Sequence, residues 1–110
     1  MKILCSAVLL AVILCSQVKV ALAAEFKVLV VMSYEANNPW VIEIREGIDS
    51  VLAASSEITY FYMDTKVSPA AGPRKGEEAY ALYQRLQPDG VIVADDDAQT
   101  MFVVPFLKDK

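Results

Sequence analysis

Three consecutive aspartates, Asp95, Asp96 and Asp97, directly follow four apolar residues at positions 91–94. A short apolar run of this kind is typical of a buried strand, so the charges would lie where that strand reaches water. Carboxylates in such a place can hold a metal ion, accept a phosphoryl group, contact a cationic ligand or cap the next helix. A metal site is the weaker interpretation, because adjacent residues on one turn rarely converge on a single ion.

The composition excludes several classes of protein. The 110 residues include no histidine and carry a formal net charge of −4. Without histidine there can be no Ser/His/Asp or Cys/His nucleophilic site and no histidine-ligated zinc. The acidic balance argues against nucleic acid as a partner, and neither a dinucleotide-binding nor a nucleotide-phosphate motif is present. We therefore expect no catalytic residues, no metal and no cofactor.

The first 23 residues have the pattern of a targeting segment. Lys2 precedes an apolar run at positions 3–15, and Ala21-Leu22-Ala23 forms an A-x-A cleavage site. This predicts a secretory signal peptide at residues 1–23 and a periplasmic or extracytoplasmic location for residues 24–110. An uncleaved membrane anchor is the alternative, although the run is short for a bilayer that needs about 20 residues.

Strand and helix patterns alternate along residues 24–110. Phe26–Met32 is almost continuously apolar, as in strands buried on both faces of a parallel sheet. A helix is predicted from Pro39, with Asn38 as its N-cap. Two further strands are predicted at 58–63 and 91–94, a loop at 64–76, a helix around 79–86, and a third helix from 98 that is kinked or restarted at Pro105. The order βαβαβα predicts a parallel three-stranded, Rossmann-like α/β unit that is incomplete by itself.

The carboxyl ends of parallel strands meet at one edge of a sheet, where ligands bind in open α/β folds. Three loops would converge at that edge, at residues 33–38, 64–66 and 95–97. The candidate ligand-binding residues are Ser33, Tyr34, Asn38, Trp40, Asp64, Asp95 and Asp96.

Several of these residues and their neighbours also have a purely structural interpretation. Asn38 would only cap its helix, Trp40 would only pack, and Asp97 is predicted to be the N-cap of the third helix. A second cluster, made of Gly72, Arg74, Lys75 and Gly76, would be either a small anion-binding loop or a solvated turn.

Several short motifs in these loops carry a resemblance. Ser33-Tyr34, Pro39-Trp40, Met63-Asp64-Thr65-Lys66 and Asp95-Asp96 follow one another at successive strand ends. In that order they resemble the amino-terminal lobe of ABC transporter substrate-binding proteins of the TrpX-like family, which have the type I periplasmic binding fold. The resemblance extends over roughly residues 26–110. Asp97 departs from it, because asparagine is usual at that position.

The resemblance implies a solute-binding protein and not an enzyme. Such a protein would capture a small molecule, an amino acid being one candidate, and present it to a membrane permease. An extracytoplasmic sensory module that relays ligand occupancy to a membrane kinase is the alternative. A small metal-dependent enzyme built on the three aspartates is a third hypothesis. Because the family has two lobes, we expect residues 24–110 to be a partial first lobe, from a fragment or a truncated relative.

Overall fold

A computed structural model describes residues 24–110, which form a parallel three-stranded sheet. The predicted signal peptide at residues 1–23 lies outside the described residues. The strands are β1 (Phe26–Met32), β2 (Ser56–Tyr62) and β3 (Gly90–Ala94), in the order β2-β1-β3. With helices between the strands, the chain is a Rossmann-like α/β unit, which confirms the predicted fold class.

The helices connect and follow these strands. Helix α1 (Pro39–Leu52) joins β1 to β2, and α2 (Gly72–Leu86) joins β2 to β3 after a 3₁₀ turn at Pro69–Ala71. A short turn, α3 (Asp96–Ala98), leads into a π-helix at Gln99–Leu107. Within residues 24–110 no helix is both long and apolar enough to cross a membrane.

The central strand β1 divides the core into two halves. Val30 and Met32 are fully buried against Val41 of α1 on one face of the sheet. Leu29 and Val31 point the other way and pack in a cluster with residues of α2 and the π-helix. Both faces of β1 are therefore covered, which explains its continuous apolar sequence.

The start of α1 and the extent of β1 agree with the predictions. The Asn38 side-chain oxygen accepts a hydrogen bond from the Trp40 backbone N–H at 3.0 Å, so Asn38 caps the helix. Pro39 occupies the first helical position, where its missing N–H leaves no bond unmade. Strand β2 runs two residues earlier at its start and one earlier at its end than the predicted 58–63.

The predicted loop at 64–76 is wrong in its second half, because α2 begins at Gly72. Pro73 is compatible with the first helical turn, where no N–H is needed. A Cβ built on Gly76 would overlap the backbone carbonyl of Met101 in the π-helix, and one on Gly72 would overlap the Met101 sulfur. These glycines therefore allow two helices to approach closely.

The loop interpretations of Arg74 and Lys75 are wrong for the same reason, because both residues lie on the first turns of α2. Each contacts Glu78 on the same helix, at 3.8 and 3.5 Å. Their backbone N–H groups thus belong to a helix and do not line an anion-binding loop.

Of the two alternatives predicted at Pro105, a kink or a restart, the restart is wrong, since one π-helix continues through this residue. Proline has no N–H to donate to the carbonyl four residues earlier, so an α-helical bond to Met101 cannot form. The wider turn continues to the end of the helix, where the Lys108 N–H donates to the Val103 carbonyl five residues earlier, at 2.9 Å.

Candidate functional site

The topology creates a switch point beside β1. The connection from β1 to β2 packs α1 on one face, whereas α2 and the π-helix lie on the other. With the order β2-β1-β3, the chain therefore turns in opposite directions at the carboxyl ends of β1 and β3. Open α/β sheets bind ligands in the crevice outside such a pair of strand ends. Tyr34 and Asp95 lie in the two loops that leave these strands.

Ser33, Thr65 and Asp97 form a hydrogen-bonded group, the strand-end network, that ties the three loops together; Ser33 and Thr65 are buried and Asp97 is half-buried. The Ser33 hydroxyl donates to the Ala94 carbonyl at 2.7 Å and accepts from the Ala98 N–H at 2.8 Å. Ser33 is fully buried, and the Thr65 N–H donates to its carbonyl at 3.0 Å. The polar atoms of Ser33 are thus engaged within the fold.

Asp97 belongs to this network and does not cap the third helix. Its carboxylate lies 2.5 Å from the Thr65 hydroxyl, which is also 2.8 Å from the Ser33 carbonyl. Asp95 occupies the N-cap position instead, without a side-chain capping bond. The prediction of Asp97 as N-cap is therefore wrong: Asp97 lies inside the first turn, where its carboxylate meets Thr65 of the neighbouring loop.

A partly exposed group, which we call the aromatic rim, consists of Tyr34, Trp40, Lys66, Asp95 and Asp96; Tyr34 and Asp95 are half-buried and the other three are exposed. The Tyr34 and Trp40 ring centroids are 5.7 Å apart, with the ring planes inclined at 53°. The Lys66 ammonium lies 4.3 Å from the Tyr34 centroid. Trp40 keeps 43% of its surface exposed. The rim thus offers a corner of two aromatic faces beside exposed carboxylates.

The pKa of the Tyr34 phenol is raised by the negative charge of the rim. Interaction with the Asp95 carboxylate, together with desolvation and the charges of the three aspartates, raises the pKa of Tyr34 to about 12. Tyr34 is therefore a neutral hydrogen-bond donor at physiological pH. Its ring stays available as an uncharged aromatic face.

Asp95 has a strained backbone. Its φ of 72° and ψ of 169° fall in a region that almost only glycine adopts. Such a conformation costs on the order of 1–3 kcal/mol and is found chiefly at functional sites. Asp64 also has a positive φ, of 56°, but lies in the left-handed region that aspartate tolerates. The strain at the switch point is thus concentrated at Asp95.

A concave surface, the mixed-charge pocket, lies between the loops after β1 and β2. It is an open pocket of about 480 Å³, and two acids and two bases contribute to its lining. The Glu35 carboxylate accepts a hydrogen bond from the Val67 N–H at 2.7 Å, which joins the two loops. The four charged residues are Glu35, Asp64, Arg74 and Lys75.

The predicted candidates therefore separate into four places. Four of them lie in the aromatic rim: Tyr34, Trp40, Asp95 and Asp96. Asp64 lines the mixed-charge pocket, Ser33 lies in the strand-end network, and Asn38 caps α1. Lys66 and Glu35 were missed. Both stand in the predicted strand-end loops, but their contacts depend on how β1 and β2 align.

Within residues 24–110, no three acidic side chains are grouped so that they could hold a metal ion. Comparison of the chain with protein-family models, curated proteins and solved structures finds no match.

Proposed function

We propose that the chain is the exported solute-binding component of an ABC-type uptake system, represented by part of its amino-terminal lobe. Residues 1–23 would direct it across the membrane, and a membrane permease would be its partner. Its task would be to capture a small molecule, an amino acid being one candidate, and not to catalyse a reaction. The order of the strand-end motifs, from Ser33-Tyr34 to Asp95-Asp96, supports this assignment by resemblance.

The observation that carries the proposal is the position of the aromatic rim at the β1/β3 switch point. Parallel α/β sheets bind small molecules at this place. Aromatic faces with a few polar groups fix the orientation of such ligands. The strained backbone of Asp95 adds support, because strain of this kind persists where a side chain must be held in one position.

The rim is an open surface and would provide one wall of a binding cleft. A solute held there keeps one side exposed until a second surface covers it, as in binding proteins whose lobes close on the ligand. We therefore expect weak binding by the chain alone. A complementary lobe would strengthen that binding by excluding water.

Ligand-dependent changes in the purified chain test the proposal. Trp40 is the only tryptophan, so its fluorescence reports on the rim directly. Titration with amino acids and other small solutes should change the emission in a saturable way for at least one solute. The same solute should raise the thermal unfolding midpoint.

A substitution at the carboxyl ends of the strands is compared with a control substitution near their amino ends. Asp96→Asn should weaken the response, whereas Glu57→Gln, an exposed change near the amino end of β2, should leave it unchanged. If no solute alters either the emission or the midpoint, the chain does not bind solutes and the proposal fails.

A further inference from the structure

The aromatic rim already holds a cation of its own. Lys66 Nζ lies 4.3 Å from the Tyr34 ring centroid, within the roughly 6 Å over which a ring face attracts a positive charge. The side chain is exposed and reaches the ring from the loop after β2. A flexible, exposed lysine can leave such a position at little cost.

The surroundings of that ammonium suit a cation and disfavour an anion. Trp40, whose ring is the strongest cation-binding aromatic, forms the second face of the corner. The negative charge of Asp95 is close enough to raise the pKa of the Tyr34 phenol, and Asp96 is exposed next to it in the same loop. A carboxylate ligand placed there would meet the like charges of Asp95 and Asp96, which oppose its attraction to Lys66. An ammonium group would meet two ring faces and two opposite charges.

From this geometry we infer that the aromatic rim binds small organic cations of the alkylated ammonium type, and that Lys66 occupies the same ring face until the ligand displaces it. This inference rests on the proposed solute-binding function and names its ligand class. A methylated ammonium suits the corner better than lysine does, because its methyl groups can pack on both inclined rings while its charge stays near the carboxylates.

Lys66 would then set the selectivity of the site. A ligand must compete with an ammonium that is tethered beside the ring, so weakly attracted cations are rejected. Removing the tethered charge frees the Tyr34 face and also removes repulsion between two positive charges. The affinity for an organic cation should therefore increase when Lys66 is replaced, whereas loss of a contact residue would lower it.

Choline and its neutral carbon analogue 3,3-dimethylbutan-1-ol form a matched pair of probes, because they have the same shape and differ in charge. Each is titrated into the full purified chain while the Trp40 emission is followed, with sodium chloride keeping the ionic strength constant. We expect a saturable response to choline. The neutral analogue should bind about two- to fivefold more weakly, because an exposed cation–π contact changes affinity by about that factor.

Two lysine variants separate the role of Lys66 from a general effect of charge. Lys66→Met should tighten choline binding by about two- to fivefold, because choline then no longer has to displace the cation–π contact between Lys66 and Tyr34. Lys110→Met is the matched control, because Lys110 Nζ lies 4.9 Å from the Tyr80 ring centroid without a neighbouring tryptophan. Both lysines are exposed, so neither variant should unfold the chain. The Lys110 variant should bind choline as the parent does.

The possible outcomes show separately whether the inferred ligand class fails and whether the proposed solute-binding function fails. Equal binding of choline and its neutral analogue, or unchanged or weaker choline binding in Lys66→Met, would overturn the inference. If an uncharged or anionic solute acts while choline does not, the ligand class is wrong but solute binding stands. If choline and the whole solute panel leave the emission and the unfolding midpoint unchanged, both proposals fail.

Discussion

The strand-end network and the aromatic rim are built from adjacent residues of the same loops, yet they have opposite properties. Ser33 is fully buried and its hydroxyl makes two hydrogen bonds, whereas the neighbouring Tyr34 carries its ring to the rim. Asp97 contacts the buried Thr65, whereas Asp95 lies on the side of Tyr34. The strand-end network fixes the loops, and the aromatic rim carries the aromatic and charged side chains of the proposed binding surface.

This difference shows how the rim can be both exposed and well positioned. A strained residue such as Asp95 remains in place only if its surroundings over-determine its backbone. The network supplies that constraint, because Ser33 bonds to Ala94 immediately before Asp95 and to Ala98 shortly after it. Damage to the network should therefore reduce stability, whereas changes in the rim should alter binding with smaller effects on stability.

The largest effect is expected beneath the network, where the π-helix packs on α2. Gly76→Ala places a methyl group against the Met101 carbonyl and should lower the free energy of unfolding by about 3 kcal/mol, as overpacking does. Gly47→Ala is the control, because its Cβ would meet no atom within 4 Å on α1. It should raise stability by about 0.5–1 kcal/mol. Urea unfolding measures both, and equal effects would show that close approach at Gly76 is not required.

Removing the central hydroxyl of the network should have the next largest effect. Ser33→Ala leaves the buried Ala98 N–H without its acceptor, so the free energy of unfolding should fall by about 2 kcal/mol. Ser50→Ala is the comparison, since that exposed serine bonds only to the Gly47 carbonyl and should cost about 0.5 kcal/mol or less. Urea denaturation of both variants checks this. A loss in Ser33→Ala no greater than in Ser50→Ala would mean that the network does not anchor the loops.

The strain at Asp95 can be measured by comparing two substitutions that both remove the carboxylate. Asp95→Gly should be more stable than Asp95→Ala by about 1–2 kcal/mol, because only glycine relaxes at a φ of 72°. In ordinary helices and strands the order is reversed, with alanine favoured by roughly 0.5–1 kcal/mol. Thermal and urea unfolding give the difference. An Ala variant as stable as the Gly variant would argue that Asp95 is not strained.

The smallest effect concerns the proton on Tyr34. Asp95→Asn should lower the pKa of Tyr34 from about 12 towards the ordinary value of about 10. Because the parent pKa is raised in the folded state, its stabilising contribution is complete below pH of about 10 and is lost as the pH rises through 12. NMR of ¹³C-labelled tyrosine, assigned with Tyr34→Phe, follows the titration. An unshifted pKa in Asp95→Asn would assign the perturbation to another cause.

The sequence was sufficient to predict the sheet and the edge at which the loops converge. Alternation of apolar strands with amphipathic helices specifies a parallel α/β unit, and β1 could be delimited to the residue. The start of α2 could not be predicted, because Gly72, Pro73 and Gly76 have the composition of a loop. Their use in a helix depends on Met101, which is distant in sequence.

At the candidate site, residue type singled out Tyr34, Trp40, Asp95 and Asp96, which the fold brings together, but it did not predict which residues they contact. Whether Ser33 or Tyr34 faces the crevice depends on the orientation of the chain as it leaves β1. Asp97 was misassigned because aspartate before a helix is a common N-cap, whereas here it meets Thr65 across two loops. Lys66 reaches Tyr34 only because β1 and β2 align in parallel from Phe26 and Ser56.

Under the proposed solute-binding function, the hydrogen bonds of Ser33 also have a consequence for the kinetics of ligand capture. Because this one residue joins the loops that follow all three strands, the rim needs no loop rearrangement before a ligand enters. The only event required is the departure of the Lys66 side chain, and exposed side chains change rotamer within picoseconds to nanoseconds. Association should then be a single step limited by encounter, and differences between ligands should appear in their dissociation rates.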